Sequence, residues 1–110
     1  MSSVLVPLAQ GCEELEAVTI IDLLRRAEIN VVTASLDDEP VRASRGTVLI
    51  ADSNLDQALQ QNYDMVVLPG GLPGADHLNS DPRIVNLLNK GMNTLIYTVI
   101  GTRVWNKNEL

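Results

Sequence analysis

The sequence predicts a single α/β domain in which helices cover both faces of a mostly parallel β-sheet. Three observations lead to this class. Short aliphatic runs rich in β-branched residues alternate with segments of helical period along the chain. The run at residues 65–68 is apolar at every position, as expected of a strand covered on both faces. The 110 residues, of which 45% are hydrophobic, suffice for one small domain spanning residues 1–110.

The first third of the chain predicts a strand, a helix and a second strand. The apolar run at residues 4–9 ends in a turn and indicates the first strand. Residues 29–36 are rich in β-branched side chains and indicate the second strand. In the helix between them, Asp22 has the spacing to meet both Arg25 and Arg26.

The middle of the chain predicts a hairpin and a short helix. The segment "VRASRGTVLIA" has Gly46 near its turn and residues 47–51 as the returning strand. Ser53 is the expected cap of the short helix that follows. The buried strand at residues 65–68 then stops at the segment "PGGLPGA", which we interpret as a loop.

The last third predicts another helix and a last strand. Asp81 as the N-cap and Pro82 at the first helical position begin the helix, which ends at Gly91. The segment "NTLIYTVIG" indicates a buried strand, and a polar tail follows it. Ligand sites of parallel sheets lie at the carboxyl ends of the strands. The turn after the first strand, the glycine loop and the residues after "LIYTVI" should meet there.

Composition excludes several classes of partner. The net charge is −6 and Arg25-Arg26 is the only adjacent basic pair, which argues against nucleic-acid binding. No run approaches the roughly 18 apolar residues of a membrane span, and no secretory leader pattern precedes the first strand. The single cysteine, Cys12, cannot form an internal disulfide or build a metal site alone. We therefore expect a cytoplasmic protein without a metal or cofactor.

Glu16 occupies an unusual position in the first predicted helix. It aligns with Ile20, Leu23 and Ala27 on the apolar face, where an ionised carboxylate is normally unfavourable. A small rotation of the helix would bring the carboxylate to solvent near the helix N-terminus, where the dipole favours an acid. Alternatively, Glu16 is a partly buried acid that shares a proton with a nearby nucleophile.

Other candidate residues each have a structural and a functional interpretation. Gly70 and Gly71 either permit a tight exit from a strand or offer backbone N–H groups to an anion, although they lack the dinucleotide-binding spacing. Cys12 precedes a helix whose dipole would stabilise a thiolate, but neighbouring glutamates oppose its ionisation. His77 is either an idle loop histidine or a ligand. Arg45 is either a turn residue or an interface contact.

Three segments occur together in order: "VLVPLAQGCEELEAVTIIDLLRRAEINVVTAS", "SRGTVLIAD" and "YDMVVLPGGLPGADHL". Over about residues 3–90 the chain resembles the ThiJ/PfpI family, in particular the branch that contains the Parkinson's-associated protein deglycase and its bacterial relatives. The resemblance implies a flavodoxin-like three-layer sandwich that is usually a homodimer. It also implies protection against oxidative stress and reactive carbonyls such as methylglyoxal, through glyoxalase, deglycase or chaperone activity.

The resemblance also implies roles for individual residues. Glu16 matches the glutamate that hydrogen-bonds a low-pKa cysteine, and the backbone around Gly70 and Gly71 matches the lining of the same pocket. Arg26 and Arg45 match positions near the pocket or the dimer contact. The thiolate of that cysteine is the form that attacks carbonyls or is oxidised.

The chain departs from the family at the nucleophile. Aligning "TLIYTVIGTRVW" on the family segment that carries the nucleophilic cysteine puts Ile100 at the position of that cysteine. An aliphatic side chain cannot attack a carbonyl. The resemblance places the later family elements, including a histidine, beyond residue 110, and residues 101–110 diverge from the family. We expect a C-terminally truncated domain without catalysis, with one bare sheet face that self-association covers.

Three functional hypotheses follow. The first is an inactive shortened domain that acts through association or binding, with a small reactive carbonyl as the expected ligand. The second is an enzyme that uses Cys12 as a substitute thiol. The third is a flavodoxin-like module that binds a nucleotide or flavin through the "PGGLPGA" loop.

Overall fold

The computed structural model describes residues 2–71 and 73–90 and the backbone of Thr94–Tyr97. In chain order, the elements are β1 (Ser3–Leu8), α1 (Glu14–Arg26), β2 (Asn30–Ser35), β3 (Val41–Arg42), β4 (Val48–Leu49), β5 (Ser53–Asn54), α2 (Leu55–Ala58), β6 (Met65–Pro69), α3 (Gly74–Ser80), α4 (Pro82–Asn89) and β7 (Thr94–Tyr97).

Five of the strands form one parallel sheet in the order β5-β2-β1-β6-β7. Val4 of β1 lies between Val31 of β2 and Met65 of β6. The strands β3 and β4 pair antiparallel as the predicted hairpin, although the returning strand is shorter than predicted. The predicted α/β class with a parallel sheet is confirmed.

Two apolar cores flank the sheet and make it the middle of three layers. On one face, Val6 packs in a cluster with Ala17 of α1 and residues of the hairpin. On the other face, Leu5 packs in a cluster with Leu78 of α3 and Leu88 of α4. Neighbouring residues of a strand point to opposite faces, so Leu5 and Val6 belong to different cores.

The central strand β6 is covered on both sides. Val66, Val67 and Leu68 point alternately to the two faces, and all three are 0% exposed. The expectation of a bare sheet face is therefore wrong for the part of the sheet whose side chains the structure describes. The run of apolar residues at 65–68 had indicated this two-sided burial correctly.

Helix α1 packs on a face that differs from the predicted one. Ile20 is buried, and Ile21 and Leu24 pack partly buried against the same core. Leu23 is 54% exposed and Ala27 is also exposed, so the prediction that both continue the apolar stripe is wrong. The helix contacts the sheet through the neighbouring row of side chains because α1 carries more apolar positions than one face can bury.

The two arginines near the end of α1 have different partners. Arg26 pairs with Asp22 at 3.0 Å, one helical turn away, as predicted. Arg25 instead contacts Asp52 at 2.8 Å. Asp52 also accepts a hydrogen bond from the backbone N of Thr33 at 2.9 Å, so this carboxylate joins α1, β2 and the segment before β5.

Two local predictions near helix termini are wrong and one is confirmed. The segment after the glycines forms α3, so His77 lies on an exposed helix surface and not in a loop. Asn54 caps α2 in place of Ser53. Asp81 caps α4 as predicted, and Pro82 occupies the first helical position. The predicted helix end at Gly91 lies outside the described residues.

The strand order reverses beside β1, and this reversal defines a crevice. From β1 the chain adds β2 and β5 on one side and then returns to place β6 on the other side. The helices that follow β1 and β6 therefore lie on opposite faces of the sheet. Ligands bind at such a reversal of strand order in open α/β sheets. Within the described residues, none of the helices is both long and apolar enough to span a bilayer.

Candidate functional site

Two loops at the carboxyl edge of the sheet meet backbone to backbone. The first connects β1 to α1, and the second connects β6 to α3. The backbone N of Glu13 in the first loop donates to the carbonyl of Gly70 in the second, at 3.5 Å. A Cβ atom on Gly71, whose φ is +90°, would lie 2.8 Å from the Cβ of Glu13, and one on Gly74 would lie 2.6 Å from the Cα of Cys12. Glycine is therefore required here because the loops touch.

Glu16 lies at this edge, in the first turn of α1. It is 1% exposed, and its neighbour Ala17 is also fully buried. Burial of this carboxyl group confirms that it lies on the inner face of the helix and excludes the interpretation of a solvent-exposed helix-dipole acid. Its role as the acid that serves a nucleophile stays a prediction.

Cys12 precedes α1 and is 1% exposed, within the core cluster on the α1 face of the sheet. Burial is the main cause that raises the pKa of its thiol to about 11, and the charges of Glu14 and Glu13 raise it further. At neutral pH the thiol is therefore protonated, which is the unreactive form. The helix dipole does not compensate for burial and for two adjacent carboxylates.

Glu14 has a structural role that the sequence did not reveal. Its carboxylate accepts hydrogen bonds from the backbone N of Arg45 at 3.1 Å, the backbone N of Thr47 at 3.3 Å and the hydroxyl of Ser44 at 3.1 Å. Burial opposes ionisation, but these hydrogen bonds outweigh it and lower the pKa of Glu14 to about 2. An ionised Glu14 thus fastens the β3–β4 turn to the start of α1. These contacts span about 30 residues, so no local pattern could indicate them.

The two arginines that the resemblance associates with the pocket or the dimer contact lie at the surface. Arg45 is held through its backbone by Glu14, and its side chain is exposed. Arg26 is exposed and pairs with Asp22 on α1. Both residues lie on the α1 and hairpin side of the sheet, and their roles stay predictions.

His77 is separated from the glutamates by the sheet. It lies on α3 and lines a cleft of about 380 Å³ at the carboxyl ends of β1 and β2. Ile100 and the divergent tail at residues 101–110 lie outside the described residues, so their predicted roles and the extent of the single domain stay predictions. No cluster of His, Cys, Asp and Glu suited to a metal ion occurs among residues 2–71 and 73–90.

Comparisons with known proteins identify the family. The chain is 52% identical over 88 residues to protein DJ-1 homolog B of Arabidopsis thaliana, covering 79% of this chain and 20% of the relative. It is 32% identical over 79 residues to the glutathione-independent glyoxalase DJR-1.2 of Caenorhabditis elegans, covering 72% and 42%. The crystal structure of Drosophila melanogaster DJ-1beta superposes with a TM-score of 0.83 and 38% identity, covering 87% of this chain and 55% of that one.

The structure of Drosophila melanogaster DJ-1beta confirms the flavodoxin-like fold. The chain spans about half or less of the length of each of these three proteins. The model of the DJ-1/PfpI family matches residues 2–98. That match covers nearly the whole chain, so the protein belongs to the DJ-1/PfpI family.

Proposed function

We propose that this chain is a domain of the reactive-carbonyl and oxidative-stress defence type that acts in the cytoplasm without cysteine-dependent catalysis. The observation that carries the proposal is the state of Cys12, the only cysteine of the sequence. Its thiol is fully buried and its pKa is raised to about 11, so it supplies no accessible thiolate at neutral pH.

The surroundings of Glu16, and the residue at the expected nucleophile position, support the same proposal. Glu16 is buried at the carboxyl edge of the sheet, beside the loop contact between Glu13 and Gly70. The resemblance assigns the nucleophile position to Ile100, which has no nucleophilic atom. One relative carries the name of a glutathione-independent glyoxalase, which makes methylglyoxal the appropriate substrate to test. The chain thus keeps an acid and lacks the thiol that it would serve.

The test is methylglyoxal consumption by the full 110-residue chain. We expect no turnover above a buffer blank, and no change in Glu16→Gln or Cys12→Ser. Turnover that disappears in Cys12→Ser would establish the substitute-thiol enzyme instead. Turnover that disappears in Glu16→Gln alone would show that another group provides the nucleophile. Titration with FMN, monitored by its fluorescence, tests the third hypothesis and should give no change.

We also propose that two copies associate through α1 and the β3–β4 hairpin. These two elements lie side by side because Glu14 binds the hairpin turn. They expose apolar side chains that the monomer leaves in water, which we call the apolar patch: Leu15, Val18, Val48 and Ile50, at 54%, 46%, 51% and 76% exposure. Exposed apolar side chains on neighbouring elements are typical of association sites.

Sedimentation equilibrium at low micromolar concentration tests the dimer. We expect Ile50→Lys to give a monomer, because the charge would be buried at the interface. Gln60→Lys, which adds the same charge at an exposed position outside the patch, should leave the dimer intact. A wild-type chain that is monomeric and folded at these concentrations would contradict the proposal.

A further inference from the structure

The cleft beside His77 is a second candidate ligand site, at the carboxyl edge of the sheet next to α3 and α4. It lies where β1 and β2 end and where α3 passes into α4, and its volume is about 380 Å³. That volume falls within the range of small-molecule pockets, roughly 300–1,000 Å³. Its position at the carboxyl ends of parallel strands is also the usual one for ligands in this class of fold.

Most polar groups of the cleft are already paired within the protein. The side chain of Gln10 donates to the carbonyl of Pro40 at 2.9 Å and accepts from the backbone N of Arg42 at 2.9 Å. The hydroxyl of Ser80 donates to the carbonyl of Asp76 at 2.8 Å. These groups form the walls, and they have little hydrogen-bonding capacity left for a ligand.

The carboxylate of Asp81, one of two in the cleft, is neutralised by Arg83. Asp81 accepts from Arg83 at 2.7 Å, and the guanidinium also contacts Asp56 at 2.9 Å and the carbonyl of Leu36 at 2.7 Å. The hydrogen bonds from Arg83 lower the pKa of Asp81, although its partial burial opposes them. The charge of Asp81 is therefore balanced, and Arg83 is fully engaged by these partners.

The side chains of Asp37 and His77 keep unused hydrogen-bonding capacity. One oxygen of Asp37 accepts from the backbone N of Glu39 at 2.9 Å. Within the described residues, the second oxygen of Asp37 and the imidazole of His77 have no hydrogen-bond partner. Among the residues that the structure describes, no lysine or arginine lines the cleft, so the charge of Asp37 is unbalanced by them. Leu8, Leu36 and Pro82 contribute apolar surface to the lining.

We propose that this cleft binds a small organic cation, an alkylammonium or alkylguanidinium, whose charged group meets Asp37 while its aliphatic part lies against Leu36 and Pro82. The imidazole of His77 offers one further hydrogen bond to the bound group. The inference is independent of the catalytic state of the domain, because neither Glu16 nor Cys12 is among the residues that line the cleft.

The test is a titration of the full chain with n-butylammonium, followed by ¹H–¹⁵N correlation spectra. We expect saturable shifts of the amides around Asp37 and His77. The isosteric n-butanol should bind at least about fivefold more weakly, the factor of a single solvent-exposed charge pair. Asp37→Asn keeps the hydrogen bond from the backbone N of Glu39 and should weaken the binding of n-butylammonium by the same factor. Asp38→Asn removes an equal charge from a residue that does not line this cleft, and should change affinity less than twofold.

The wild-type chain alone also decides the question. Raising the ionic strength should weaken n-butylammonium binding and leave n-butanol unaffected, since salt screens only the charged ligand. Equal affinities for the two ligands, equal effects of the two aspartate variants, or the absence of saturable shifts near His77 would each overturn the proposal.

Discussion

Glu14 and Arg45 are joined by a two-oxygen contact that spans 31 positions of the chain. Both carboxylate oxygens of Glu14 lie 3.1 Å from the backbone N of Arg45. This contact fixes the β3–β4 turn on the first turn of α1, two residues before the buried Glu16. The hairpin, the start of α1 and the buried Glu16 thus belong to one packed region of the domain.

Replacing Glu14 should lower the stability of the fold in a pH-dependent way. The folded-state pKa of Glu14 is lowered from 4.5 to about 2, so its contribution to stability is fully present above about pH 4.5 and is lost as the pH falls toward 2. Glu14→Gln should therefore lower the thermal midpoint at pH 7 and lose less stability than the wild type on acidification. Thermal unfolding followed by circular dichroism from pH 2 to pH 7 measures both effects.

The control for this comparison is Glu39→Gln, which removes the same charge from an exposed loop position. We expect its stability to follow that of the wild type across the pH range. If Glu14→Gln and Glu39→Gln have the same pH profile, the anchoring role of Glu14 is refuted.

Gly71→Ala should destabilise the fold far more than Gly46→Ala. Both glycines have a positive φ, +90° and +92°, so both substitutions carry the backbone strain of about 1–2 kcal/mol. A Cβ on Gly46 would meet only the end of the Arg42 side chain at 4.0 Å, whereas one on Gly71 would lie 2.8 Å from Glu13. The clash should add about 1–3 kcal/mol for Gly71→Ala. Urea unfolding of the two variants measures the difference, and equal losses would refute the close loop contact.

Cys12 should react slowly with iodoacetamide in the folded protein. With a pKa of about 11, roughly 300-fold less thiolate is present at pH 7 than for an ordinary thiol of pKa about 8.5. Burial of the sulfur slows the reaction further. Labelling followed by mass spectrometry, in buffer and in denaturing urea, should show at least a hundredfold acceleration on unfolding. Rapid labelling of the folded chain would support Cys12 as a nucleophile.

Elements with short-range signals were predictable from the sequence. The apolar run of β6 and the Asp81-Pro82 start of α4 are encoded by adjacent residues, and both appear as predicted. The α3 helix was missed because proline and glycine at its start are also typical of loops. Those residues serve the contact between two loops, and Gly74 would clash with Cys12 if it carried a side chain.

Features that depend on tertiary contacts were only partly predictable. The position of Glu16 on the buried face of α1 followed from helical spacing. The exposure of Leu23 did not, because the sequence shows several apolar rows and the packing of the sheet selects one of them. The anchoring role of Glu14 and the pairing of Arg25 with Asp52 join residues about 30 positions apart, for which a single sequence contains no signal.

Methylglyoxal turnover by the wild-type chain and by Ile100→Cys, assayed side by side, tests whether the domain keeps a functional acid without a nucleophile. We expect no turnover by the wild type, and turnover by Ile100→Cys that Glu16→Gln removes, because the acid would again have a thiol to serve. Val99→Cys is the matched control and should stay inactive. Turnover by the wild-type chain, or equal activity in Ile100→Cys and Val99→Cys, would contradict the claim that the domain keeps the acid and lacks its nucleophile.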